Sequence, residues 1–376
     1  MVKNYEKYSL NINFNQLGGS YIINSEQNML GADPKIISYP EVTFKLEEHI
    51  GSGGSGSVSR AIIINCSINP SLNGKVVAIK FFNSSNGFTA ESKKQYEKDK
   101  MISYHLDADG SILKINNAAI LYFDIRSGTK LKNTLVYEYG GETLNKYKDS
   151  SYHNEINNKR ILIQLFTILR LLTNEKNNMH NDLKCENIVY LIDGNGLINI
   201  QLIDFGASFG IEELRTGTGT LIRRTNMNSP EAIKNFLVNN HQIYPYQGIE
   251  RVDERNFSKW YYYPFLSILF FIYTGKEYST GESTLINEII NMVNPGFTTI
   301  FQNKIDIISR LLNNDFIKYY FYHRSYNKYI NKDLNILSTE FAPKYTIIQN
   351  LIDNMCKPII NKRLNEDEVL AELNKL

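Results

Sequence analysis

The chain has 376 residues, enough for one large domain or two moderate lobes, each with its own core. With 42% hydrophobic and 21% charged residues and a formal net charge of +2, it has the balance of an ordinary globular protein and no global pull toward nucleic acid or an anionic membrane. Three widely spaced cysteines, Cys66, Cys185 and Cys356, exclude a disulfide framework and a zinc site and fit a reducing, cytoplasmic compartment, which would be a host cytoplasm for a viral or effector source.

In chain order, Met1 to Leu10 carry charges without an apolar core, so no secretory signal is expected. Residues 1–43 read as an N-terminal extension. From Val42 to Glu138 the pattern is mostly strand-like, as in Val76-Val77-Ala78-Ile79 and Leu135-Val136-Tyr137. One helix is predicted between them, from Ala90 to Leu106, with Tyr96, Met101 and Ile102 on its apolar side. Glu138-Tyr139-Gly140-Gly141 then breaks the strand pattern and gives a joint. Beyond it, Ile161, Leu165, Ile168 and Leu172 recur at helical spacing. Two short strands follow, Ile188 to Ile192 and Leu197 to Ile203, around an Asp193-Gly194-Asn195-Gly196 hairpin turn. The remainder reads as helical apart from a polar loop from Gly206 to Asn228. The apolar run Tyr261 to Tyr273 is shorter than the ~20 residues of a membrane span and reads as a buried core helix, with a re-entrant membrane segment as the alternative. No transmembrane segment is expected.

Four stretches carry chemistry. Gly51-Ser52-Gly53-Gly54-Ser55-Gly56-Ser57-Val58 is a glycine-rich hairpin tip between two strand-like runs, and glycine lets backbone N–H groups approach phosphate oxygens. The bland reading of such a stretch is a flexible linker. Lys80 ends an apolar strand, where an unpaired ammonium is costly. It either snorkels to the surface or has anionic partners, namely nucleotide phosphates and a helix carboxylate; Glu97 is the preferred carboxylate and Glu91 the second choice. His180-Asn181-Asp182-Leu183-Lys184-Cys185-Glu186-Asn187 gathers a carboxylate able to take a hydroxyl proton, a lysine able to neutralise a transferring phosphoryl group, and an amide oxygen able to ligate a metal. Asp204-Phe205-Gly206 places a carboxylate at a strand end, suited to Mg²⁺.

Taken in order and spacing, these stretches resemble the eukaryotic-type protein kinase family, whose signature set is a known template. The resemblance runs over residues 44–376 and implies an α+β, bilobal fold: a β-rich N-lobe at 44–138, a hinge at 138–141 and an α-helical C-lobe at 142–376. It implies a Ser/Thr kinase that transfers the γ-phosphoryl group of ATP, with Mg²⁺, to a protein substrate. Asp182, Lys184 and Lys80 would be catalytic. Gly51, Gly53, Gly54, Gly56, Val58, Ala78, Lys80, Glu97, Glu138 and Tyr139 would hold the nucleotide, with Asn187 and Asp204 on the metal. Tyr137 would be the gatekeeper, and Met101, His180 and Phe205 would join an apolar spine. Ser229-Pro230-Glu231 would end the activation segment, its Glu paired with Arg363. Lys184 argues for Ser/Thr over Tyr specificity.

Three positions depart from the family pattern. Asn181 stands where an Arg usually precedes the catalytic Asp, which implies activity without activation-segment phosphorylation. Tyr261 stands where an Asp usually begins the core helix. The stretch from Phe301 to Lys344 is longer than the family needs. A pseudokinase scaffold and a kinase of a small molecule or lipid remain as other readings.

Overall fold

The structure, a computed structural model, describes residues 21–24, 36–53, 56–82, 92–100, 121–126, 133–174, 177–210, 259, 261–275, 342–355 and 362–376. The expectations for Met101, Gly54, Glu91, the activation segment around Ser229-Pro230-Glu231 and most of 301–344 lie outside these residues. The chain divides into two compact units, 1–140 with 201–206, and 141–200 with 207–376. The division falls between Gly140 and Gly141. Asp204-Phe205-Gly206 belongs with the first unit. Among the described residues no helix is long and apolar enough to cross a membrane.

The first unit is built on a seven-stranded sheet, in the order β1-β6-β7-β5-β4-β3-β2. The strands are β1 (Tyr21–Asn24), β2 (Ile36–Ser38), β3 (Val42–Gly53), β4 (Gly56–Cys66), β5 (Val76–Phe81), β6 (Leu121–Arg126) and β7 (Thr134–Glu138). All neighbours are antiparallel except β1, which runs parallel to β6. The sheet therefore begins ahead of residue 44: the N-terminal extension supplies both of its edge strands. Helix α1 covers residues 92–100.

Strand alternation decides what each face does. Val77 and Ile79 of β5 point into a core with Phe44, Ile63, Phe123, Ile125 and Val136. Phe44 is fully buried and meets Phe123 and Tyr39 edge-on, with ring centroids 5.9 and 6.2 Å apart. The opposite face carries Ala78 and Lys80, with Val58 paired across from Lys80 and Tyr137 across from Ala78. On this side Phe82, Tyr96, Leu121, Leu135 and Tyr137 form a second apolar cluster.

The second unit centres on α2 (Glu155–Asn174), whose Ile161, Leu165, Phe166, Leu169 and Leu172 are buried at helical spacing. Phe166 packs its ring against Tyr261, Tyr262 and Phe265, with centroids 5.1 to 5.9 Å away. The last two residues belong to α3 (Tyr262–Thr274), which is apolar nearly all round and is a buried core helix. Among the described residues this part also has α4 (Ala342–Met355) and α5 (Glu366–Leu373), α5 starting in an Asn365/Glu368 capping box. Strands β8 (Glu142–Thr143), β10 (Ile188–Ile192) and β11 (Ile198–Leu202) form a small sheet. Gly141 adjoins it with φ 91°, and a Cβ there would lie 2.1 Å from the Tyr190 carbonyl oxygen, so only glycine fits. A second small pair joins β9 (Asn178–Met179) to β12 (Phe209–Gly210).

Buried Asn157 ties α2 to the β10–β11 turn. Its amide nitrogen donates to the carbonyls of Tyr152 and Gly196, at 3.0 and 3.2 Å, and its oxygen accepts from the Ile198 N–H at 3.1 Å. Alanine there would strand a buried N–H and weaken two carbonyls. We expect Asn157→Ala to lower stability by about 2–3 kcal/mol, read by urea unfolding.

Candidate active site

In the first unit the glycine-rich stretch closes the β3–β4 hairpin, with Gly51 paired to Val58 and Gly53 to Gly56. Its glycines have different reasons. Gly56 has φ 150°, and a Cβ there would lie 1.8 Å from the Phe81 carbonyl oxygen of β5, so the tip is free to lie against that strand only as glycine. Around Gly51 a Cβ would meet nothing within 4 Å, so the space beside it is open. Val58 and Ala78 are half-buried on the face that carries Lys80. Tyr139 is half-buried beneath the Arg60 guanidinium, 5.4 Å from its ring centre. Burial raises the Glu138 carboxyl above the usual range, partly offset by Lys75 and a hydrogen bond with Gln201.

Lys80 is 8% exposed. Its ammonium donates to Asp99 Oδ2 and to Asp204 Oδ1, both at 2.7 Å, and lies 4.9 Å over the Phe82 ring. Burial pushes its pKa down, but Asp204 and Asp99 together outweigh that and hold it above the ordinary lysine value. Lys80 is thus a paired, permanently charged group rather than a snorkelling one.

The helix carboxylate that pairs with Lys80 is Asp99, which corrects the expectation of Glu97. Glu97 is exposed and pairs with Lys100 at 2.7 Å. The reason is the face of α1. Ser92, Gln95, Tyr96 and Asp99 are buried at positions i, i+3, i+4 and i+7, and Glu97 lies off that stripe. Asp99 also accepts the Phe205 N–H on Oδ1 at 3.0 Å, so one carboxylate holds both Lys80 and the Asp204-Phe205-Gly206 turn. Asp204 sits at φ 63°, a left-handed conformation that Asp adopts more readily than most residues. Phe205 is buried at 1%.

In the second unit the loop from His180 to Asn187 runs out of β9 and ends in a 3-10 turn (Cys185–Asn187) before β10. Asp182 Oδ2 accepts from Lys184 at 2.9 Å and from the Asn187 amide at 3.0 Å; the same amide also donates to the Asp182 carbonyl at 2.7 Å. Asn187 Nδ2 is thereby committed, and its side-chain oxygen is the end suited to a cation. Asp182 Oδ1 is buried with no hydrogen-bond partner. A carboxylate oxygen left so is costly.

The two unusual positions have local explanations. Asn181 is buried at φ 59° and donates to the Ala207 carbonyl at 3.1 Å; Ser208 donates to the His180 carbonyl at 3.2 Å. Together with the β9–β12 pair these bonds tie the loop to the chain that follows Gly206. Tyr261, at the start of α3, donates its hydroxyl to Glu366 Oε1 at 2.9 Å and so serves the α3–α5 contact. Arg363 is buried at 3%.

A metal would depend on oxygen ligands here. Among the described residues no group of three or more His, Cys, Asp or Glu could hold a metal ion. The Asp204 carboxylate in the first unit and the Asn187 amide oxygen in the second are each hard donors of the kind that Mg²⁺ takes. Each suits that ion by its own chemistry.

Residues 44–244, more than half of the chain, match the family model described as the protein kinase domain. The chain belongs to the eukaryotic-type protein kinase family. No match was found among curated proteins. The α+β architecture of this kinase, a strand-rich first unit and a helix-rich second, is the one expected from the sequence.

Two outcomes follow for this kinase. Asp99→Ala should reduce phosphoryl transfer by more than about tenfold, because it strands buried Lys80, while Glu97→Ala should stay within about twofold. Steady-state rates of the two variants decide between the carboxylates. Gly56→Ala should cost about 2–3 kcal/mol in urea unfolding, with Gly51→Ala within about 0.5 kcal/mol of the wild type.

Proposed function

We propose that the protein is an active Ser/Thr kinase that transfers the γ-phosphoryl group of ATP to a protein hydroxyl. The observation that carries this reading is Asp182 Oδ1, a buried carboxylate oxygen without a donor, on a side chain whose other oxygen is held by Lys184 and Asn187. A substrate hydroxyl is the missing donor. Its oxygen attacks the γ-phosphorus as the bond to the ADP oxygen breaks, ADP leaves with that electron pair, and the hydroxyl proton passes to Asp182 Oδ1.

The other residues act through position and charge. Lys80, fixed by Asp99, orients the α- and β-phosphates. Gly51, Gly53, Gly54 and Gly56 let backbone N–H groups approach the phosphates, and Val58 and Ala78 flank the base. Glu138 and Tyr139 offer backbone groups to the adenine edge. Lys184 stabilises charge on the phosphoryl group as it moves. Bound Mg²⁺ would neutralise the phosphates, held by Asn187 and Asp204. Catalysis of this kind is mainly alignment and electrostatics. The domain division proposed is a first lobe up to Glu138, a hinge at 138–141 and a second lobe from Glu142.

Lys184 between Asp182 and Asn187 supports Ser/Thr over Tyr specificity. The near-neutral net charge suits a protein rather than a nucleic-acid substrate, and the sparse cysteines suit a cytoplasmic setting.

Purified protein incubated with radiolabelled ATP, Mg²⁺ and a generic basic protein should label Ser and Thr. Asp182→Asn should lower the rate by about 10²–10⁴-fold with ATP binding retained. Nucleotide binding without transfer would replace this reading by a pseudokinase scaffold. Transfer to a metabolite or lipid alone would replace the protein substrate.

A further inference from the structure

Among the described residues of the first unit, and outside the groups assigned to nucleotide or substrate above, a buried charged cluster surrounds Asp124. This residue is 1% exposed, on β6, which is an interior strand of the sheet between β1 and β7. Its carboxylate accepts from Arg126 Nε at 2.9 Å and Nη2 at 2.7 Å, and Lys100 lies 3.8 Å away. It also accepts the hydroxyl of Tyr96. Strand β1 flanks this point in parallel register, Ile22 beside Asp124 and Asn24 beside Arg126.

Tyr96 and Lys100 are residues of α1, as is Asp99. Tyr96 and Asp99 are one helical turn apart on the same buried stripe. The Tyr96 ring meets Phe82 edge-on at 5.4 Å, and Phe82 carries the Lys80 ammonium over its face at 4.9 Å. Two routes therefore lead from Asp124 to Lys80: along α1 through Asp99, and across the rings of Tyr96 and Phe82. The charge on Asp124 has no part in the transfer chemistry. A buried carboxylate is costly unless fully hydrogen-bonded, and an apolar residue would fill the site more cheaply if packing were the whole need.

We propose that Tyr96 and Asp124 are positioning residues for phosphoryl transfer: their hydrogen bond clamps α1 to β6 at the angle that puts Asp99 on Lys80. The clamp sets the helix by a directional contact, where apolar packing alone would let it slide or rotate by a fraction of a turn. An aspartate has one methylene fewer than a glutamate, so the Asp99–Lys80 contact tolerates little such movement. The N-terminal strand β1 stiffens the far side of the clamp by holding β6 in the sheet. This inference rests on the role of Lys80 in the proposed function.

The test is Tyr96→Phe, which removes the hydroxyl and keeps the ring against Phe82, with Asp124→Asn as a second variant at the same contact. Thermal unfolding selects whichever is folded at the assay temperature. The expected result is a fall in kcat of about tenfold with the KM for ATP within about twofold, the size of one lost hydrogen bond to a charged group. In a double-mutant cycle the effect should largely vanish when Asp99→Asn is already present, because the hydroxyl acts through Asp99. In parallel, acylation by an amine-reactive reagent, followed by mass spectrometry, should modify Lys80 several-fold faster in Tyr96→Phe, with Lys75 unchanged. An unchanged kcat, or a loss that adds in full to that of Asp99→Asn, overturns the proposal. If the wild type transfers no phosphate, the kinase reading fails on its own, and the acylation rate of Lys80 decides the clamp: unchanged labelling overturns it and faster labelling supports it.

Discussion

The Asp99 carboxylate is the constraint on which the first unit's chemistry turns. One oxygen takes the Lys80 ammonium and the other takes the Phe205 N–H. Lys80 is buried among apolar and aromatic groups, where an unmatched charge would not be tolerated. Because Asp99 matches it, the strand that ends in Lys80, the helix that carries Asp99 and the turn that carries Asp204 have to meet at one place. The buried stripe of α1, the left-handed φ of Asp204 and the alternation of β5 are the local conditions that allow the meeting.

The second unit solves a different problem. There a loop of irregular backbone has to hold Asp182 with one oxygen satisfied and the other not. Lys184 and Asn187 fix the satisfied oxygen from within the loop. The loop is in turn fixed from outside by Asn181 on Ala207, Ser208 on His180 and the short β9–β12 pair. At Asn181 a neutral side chain bonded to the Ala207 carbonyl helps to hold the loop.

Much of this was legible in the sequence because the groups are close in sequence or stand in a fixed order. The glycine hairpin, the lysine at a strand end, the Asp182–Asn187 loop and the Asp193–Gly196 turn all declare themselves within ten residues. Glu97 was misread because order along the chain does not say which face of α1 a carboxylate occupies. Helical geometry held the better answer: with Tyr96 facing inward, the carboxylate one turn on is Asp99, and Glu97 points about 100° away. The pairing of β1 with β6 was not legible, since its partners are about a hundred residues apart and the four residues of β1 have no distinctive pattern. Nor could composition show that buried Asp124 would be matched by Tyr96, as that depends on which strand packs under which helix.

The packing around Tyr137 has a consequence for ligands. Its ring sits in the cluster with Phe82, Tyr96, Leu121 and Leu135, so the volume behind it is filled by aromatic and branched side chains. If the nucleotide of the proposed function lies against Val58 and Ala78, a substituent pushed past Tyr137 would have to displace the side chains of this cluster. A glycine in place of Tyr137 would open a hole the size of a phenol ring in that cluster.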